Sequence, residues 1–344
     1  MRPSTSLKYI TLVLSIFTIK LSHAQELEKK DPPPFKRNRA EENYEYLNER
    51  NVYKSVVGDK FKLLSIADNI FVNIGGQYRP RLEHFTNENW TEEDATFYSQ
   101  RLSLFTSLNF GQTIRLYGEM IHGYTSNEDQ VVESDEIDIH QGFIEINLLL
   151  TDSARLSFRL GRQEINLGSS RLISIREGPN IKRSFDVVQA IYSVGITQIR
   201  TFYGKEVSPR FGAFDNEFNL FDSESLNPEV WTVDVRFPIR KIIGTNELYY
   251  IGFKSKMSRF ADAIGREVRH TLGIRRYGML WNRMSYNTEI AYQFGEIENK
   301  TIRAINIELD NKYHFEHWRW KPQLGLKVDV STGDRTTGDG RINT

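Results

Sequence analysis

The sequence of 344 residues contains no cysteine. Disulfides, thiolate zinc sites, iron–sulfur clusters and thiol catalysis are therefore excluded. It also lacks a net charge, because 45 basic side chains face 45 acidic ones. No global field points to nucleic acid or to an anionic membrane surface as partner. Long apolar runs are missing apart from one at the N-terminus, which excludes a polytopic helical membrane protein. Disorder is excluded as well, since 39% of the residues are hydrophobic and 12% aromatic.

The one apolar run reads as a secretory signal over residues 1–24. Arg2 and Lys8 supply the positive region, Tyr9 to Ile19 the apolar stretch, and Ser22-His23-Ala24 a small-residue cleavage site before Gln25. With no cysteine following, a lipoprotein anchor is excluded. Residues 25–69 read as a periplasmic N-terminal segment. Within it Lys29-Lys30-Asp31-Pro32-Pro33-Pro34 reads as an extended linker and Glu41 to Leu47 as a short helix.

From Ile70 onward apolar and polar residues alternate with period two. Val72, Ile74, Tyr78 and Leu82 alternate with Asn73, Gln77, Arg79 and Arg81; Trp231, Val233 and Val235 alternate with Thr232, Asp234 and Arg236. The runs are longer than the five or so residues usual in globular sheets. They suit tilted strands crossing a bilayer. Thirteen such strands are expected, starting near residues 70, 97, 113, 138, 155, 186, 196, 229, 245, 269, 284, 301 and 321. Short connections are expected to alternate with longer ones at 85–96, 125–137, 167–185, 207–228, 257–268 and 295–300. That pattern predicts an all-β chain, a transmembrane antiparallel outer-membrane β-barrel over residues 70–344. An odd count and a loop-like ending read as truncation at the C-terminus.

The polar strand faces are rich in arginine. Alternation places Arg79, Arg81, Arg101, Arg115, Arg159, Arg200, Arg236, Arg275 and Arg303 toward the lumen, together with Glu83, Glu119, Glu145, Asp234 and Glu289. The stretch 155–183 adds Arg162, Arg171, Arg176 and Arg183 to the same pathway. Guanidinium groups in a row select anions and grip carboxylates in pairs of hydrogen bonds. About half of these arginines are assigned to structural ladders with interior carboxylates, and the rest to solute. The loop from Ser126 to Asp138 carries six carboxylates and no base. It matches no calcium loop, so it reads as a solvated face beside the basic stretch, with no metal site. His84, His122 and His140 fall on the lipid-facing parity. Tyr124, Trp231, Tyr249, Tyr286, Trp318 and Trp320 fit interface girdles. No nucleophile motif is present, so no catalytic residue is assigned.

The block Gly161-Arg162-Gln163-Glu164-Ile165-Asn166-Leu167-Gly168, followed by Arg171 to Asn180 and Arg183-Ser184-Phe185-Asp186, resembles the alginate export porin family. So do Gly75 to Arg81, His140 to Glu145, Arg269 to Arg275, Glu289 to Gly295 and Ser331 to Asp334. Where the family has a glycine after Ser-Phe-Asp, this chain has Val187. The resemblance implies a barrel of eighteen strands with an arginine-lined pore, of which thirteen strands are visible. It implies a passive channel in the bacterial cell outer membrane for an anionic polysaccharide or a small anionic solute. Outer-membrane lipid and periplasmic export partners are the other contacts expected; no cofactor, no nucleic acid and no enzymatic activity are expected. A general uptake porin, an outer-membrane enzyme and an anchor barrel are the alternatives.

Overall fold

A computed structural model describes residues 29–344 except 88–89, 91–92, 127–129, 240–243, 261–262, 335–339 and 343–344. The signal expected over 1–24 lies outside the described residues. The chain divides into two compact units, one ending at Leu63 and one running from Leu64.

The first unit is built of three short 3-10 turns, Arg39–Glu41, Glu45–Glu49 and Asp59–Phe61. The stretch expected as one helix is thus two turns, separated by Glu42, Asn43 and Tyr44. Asn38 caps the first turn by accepting from the Ala40 amide. Ala40, Tyr44 and Leu47 are buried. Lys30 pairs with Tyr53 in a parallel bridge, so the proline-rich stretch is tied to the rest of the unit. The Lys62 ammonium lies 4.5 Å from the Tyr44 ring centroid. Burial lowers its pKa to about 8 despite the nearby carboxylates of Glu42 and Asp59.

The second unit is one antiparallel sheet in strict sequence order. Its strands are β1 (Leu64–Ala67), β2 (Ile70–Phe85), β3 (Ala95–Phe110), β4 (Ile114–Thr125), β5 (Asp135–Thr151), β6 (Ala154–Gln163), β7 (Phe185–Val194), β8 (Thr197–Glu206), β9 (Glu229–Ile239), β10 (Gly244–Arg259), β11 (Ile264–Leu280), β12 (Met284–Ile297), β13 (Lys300–His314) and β14 (Gln323–Ser331). A two-residue strand, β15 (Arg341–Ile342), adds in parallel to β13. The thirteen expected strands are β2 to β14, most starting within three residues of the expected positions. None of the described helices is long and apolar enough to cross a membrane.

Alternation decides which face is which. On β2, Ile74, Tyr78 and Leu82 are exposed, while Asn73 is buried and Gln77, Arg79 and Arg81 are half-buried. The same holds on β3, where Leu102 and Leu104 are exposed and Arg101 and Ser103 are buried. An apolar face left bare on strand after strand is the outward face of a barrel wall. The polar face is the interior of an outer-membrane β-barrel wall.

Connection lengths alternate over most of the sheet. One end carries tight turns at 111–113, 152–153, 195–196 and 281–283, and an eight-residue turn at 315–322. The other carries 86–94, 126–134, 164–184 and 207–228. The last two connections at that end are short, 260–263 and 298–299, where long loops were expected. Strands β10 to β13 extend into the expected loops and pair almost to their tips.

Register shifts occur on β1 between Ser65 and Ala67, on β10 between Ser255 and Ser258, and on β5. On β5 the pairing with β4 shifts between Glu119 and Met120, opposite Gln141 and Ile139. A bulge leaves His140 and Gln141 both buried on the interior side. His140 therefore corrects the parity reading: one extra residue moves its side chain from the lipid face to the interior.

Candidate functional site

The candidate site is built around the connection from β6 to β7. Strand alternation stops at Gln163 and resumes at Phe185. Between them lies a segment with apolar residues that a solvated loop would not carry. Ile165, Leu167 and Ile173 are buried against Phe185 and Val187 of β7, Phe202 of β8, Val230 of β9, and Tyr249 and Ile251 of β10. The segment 164–184 is thus laid along the interior face of the wall, not out into solvent. Burial of its apolar side chains holds it there.

Its two halves meet walls of opposite charge. Near residue 168 the segment docks on carboxylates. The Gly168 amide donates to Glu247 at 3.2 Å and the Ser169 amide to Glu289 at 2.6 Å. The Ser169 hydroxyl donates to Glu308 at 2.6 Å. Arg171 pairs with Glu308 at 3.2 Å and also with Asp329. Gly168 has a φ of +59°, and a Cβ there would lie 2.7 Å from the Glu289 carboxylate. Only glycine lets the backbone come this close. Arg275 closes the dock by donating to the Gly168 carbonyl at 2.6 Å while pairing with Glu247 at 3.1 Å.

Near residue 178 the segment docks on arginines. Arg79 donates to the carbonyls of Glu177, Gly178 and Pro179 at 2.8, 3.1 and 3.0 Å, and to the Asn180 side chain at 3.0 Å. Arg81 donates to the Gly178 carbonyl at 3.1 Å and pairs with Glu83 at 2.8 Å. Arg101, fully buried, pairs with the Glu177 carboxylate. The acidic connection 126–134 packs here too: the Asn180 amide donates to Glu133, and the Ile181 amide to the Val132 carbonyl. The acidic loop and the basic stretch adjoin, as expected.

The ends of the segment are joined by buried charge. Glu164 accepts from His140 at 2.8 Å and pairs with Lys182. Burial pushes the Glu164 carboxyl upward, but the His140 hydrogen bond and the Lys182 charge outweigh it and hold the pKa below the usual range. Arg162 grips Asp186 with bonds of 2.8 and 3.3 Å and donates to the carbonyls of Asn216 and Glu217 in the next long connection.

The remaining arginines form ladders. Arg115 and Arg159 share Glu145 and lie 5.3 and 4.7 Å from the Phe143 ring centroid. Phe143 stacks on Tyr117, and Tyr117 on Phe105. Arg200 and Arg236 share Asp234, and Arg236 also reaches Glu247. Arg183 pairs with Glu206 at 2.8 Å. Ten of the twelve arginines assigned to the solute pathway thus face a carboxylate, more than the half allotted to ladders. Arg79 binds only neutral oxygens. Arg176 is exposed and shows no ion pair among the described residues.

Besides His140, two side chains lie opposite to their sequence assignment. Arg303 is exposed beside buried Ile302 and Ala304, so it belongs to the lipid face near the start of β13. Tyr249 is buried inside and donates to Glu289 at 2.5 Å, so it is no girdle residue. Placing Tyr249 outside also hid Glu247, two residues away on the same face. Glu247 and Glu308 were legible from parity alone. Glu164 and Lys182 were not, because their partners come from the inward path of the segment. Among the described residues no group of histidines and carboxylates could hold a metal ion.

A curved antiparallel wall, apolar outside and charged within, carrying an inward segment, defines an outer-membrane channel-type barrel. A family model described as alginate export matches residues 71–344. The chain belongs to that family, a family of export proteins. No curated protein matches it.

Proposed function

We propose that the chain is a passive outer-membrane channel for an acidic polysaccharide of the polyuronate type, with solute carboxylates handed along interior guanidinium groups. Three guanidinium groups gathered on adjacent strands beside the inward segment support this reading most directly: Arg79, Arg81 and Arg101. Exposed Arg176 extends the set. Weak, repeated guanidinium sites suit a polymer with one carboxylate per sugar. The end of the sheet carrying the inward segment is extracellular in this reading.

The test is electrical. The full chain in a planar bilayer should carry an anion-selective current that uronate oligomers block. A silent or cation-selective pore would sink the reading. A general porin for small solutes is the second reading. The pairing of ten arginines with carboxylates favours it, because paired charges cancel much of the positive field. Equal block by neutral and acidic oligosaccharides would establish it.

A further inference from the structure

We propose that Arg79, Arg81 and Arg101 form a carboxylate-binding site that the chain itself fills with Glu177, so that a solute carboxylate enters by displacing Glu177. The inference rests on the anion-channel reading above.

Arg79 and Arg101 are direct partners across β2 and β3, and Arg81 lies opposite Ser99, two residues along. Their side chains converge on the 177–180 turn. Glu83 and Glu133 both face Arg81, at 2.8 and 3.7 Å. Among the described residues the carboxylate on Arg101 is Glu177 alone.

The resident carboxylate fits incompletely. Glu177 meets Arg101 through Oε1, while its buried Oε2 has no hydrogen-bond partner among the described residues. The Nε groups of Arg79 and Arg101 are likewise buried and without a partner there. A free carboxylate can take a guanidinium through two parallel bonds, which a group on a constrained turn cannot. Constraint is visible one residue earlier, where Arg176 holds a φ of +53°. That region is unfavourable for a residue with a Cβ. Arg101 is fully buried and Glu177 about one-third exposed, so an incoming group meets Glu177 first.

Exchange of one carboxylate for another leaves the charge of the site unchanged. A tethered group competes at an effective concentration on the order of millimolar. A single uronate competes poorly against that, whereas an oligomer presents many carboxylates in succession. The site would thus answer to acidic polymer and ignore neutral sugar.

Two measurements on the full chain test this. Glu177→Gln keeps the shape and removes the competitor. The concentration of trigalacturonate giving half-block should fall about tenfold, the effect of one charge-assisted bond. Maltotriose should show no such change. Second, Gly178→Cys introduces the only thiol of the chain, at a position where a Cβ meets nothing within 4 Å. Its modification by a thiol reagent should quicken several-fold with trigalacturonate and not with maltotriose. An unchanged half-block, or an equal gain for maltotriose, would overturn the displacement while leaving the channel intact. Absence of anion current in the unaltered chain would overturn the channel reading and this one together.

Discussion

The two docks of the inward segment are opposites. At the β10 to β14 dock the wall is acidic, through Glu247, Glu289, Glu308 and Asp329, and the segment offers amides and Arg171. At the β2 and β3 dock the wall is basic, and the segment offers carbonyls and Glu177. The segment is therefore polarised to match its surroundings. The acidic dock uses side chains that remain about one-third exposed, Arg171 and Asp329. The basic dock contains the fully buried Arg101. Exposed ion pairs such as Arg171–Asp329 are worth little, whereas buried groups left unpaired cost much, which applies to Arg101 in one dock and to Glu247, Glu289 and Glu308 in the other.

The largest effect is expected at the buried pair flanking the segment, Arg162 and Asp186. Asp186→Ala leaves Arg162 buried without its partner and should cost about 3–5 kcal/mol. A urea midpoint in detergent checks it, and an unchanged midpoint would show the pair to be dispensable. Next comes the contrast itself. Arg101→Gln should destabilise by about 2 kcal/mol, and Arg171→Gln by under about 1 kcal/mol. The reverse order would break the comparison. Arg79→Glu combined with Arg81→Glu should move the reversal potential toward cation preference, and Arg171→Glu should move it much less. The smallest effect concerns acid. The Glu164 carboxyl titrates below its ordinary 4.5 in the fold. Its contribution is complete above that value and is lost as pH falls through the lower, folded value. The urea midpoint should therefore fall on this account only well below pH 4.5; a fall confined to pH 5 to 7 would assign the change to another group.

Much of the wall was legible because lipid forces a strict code. A residue facing hydrocarbon must be apolar, so period two persists over whole strands, and thirteen strands follow from it. The code failed where something other than the pleat set direction. His140 turned inward because a bulge added one residue. Tyr249 carries a ring that suits either environment, and its hydroxyl found Glu289. Arg303 carries a charge that parity alone could not place, and it sits near a strand end where a long side chain reaches polar surroundings. The inward segment was half legible. Its basic residues and its resemblance were plain in the sequence. Its stretch 167–185 reads as a long outer loop, although Ile165, Leu167, Ile173 and Ile175 are buried, because which strands it meets depends on the curvature of the whole sheet.

The interior pairs have one more consequence, for how such a channel can change over generations. Each paired arginine is a latent binding group. Asp234 and Glu145 each neutralise two arginines at once. A single substitution that removes a carboxylate would free positive charge already in place, without adding a base. On the channel reading proposed above, solute preference can drift through the loss of acids wherever the wall tolerates it, and each shared carboxylate is one mutation from releasing positive charge already in place.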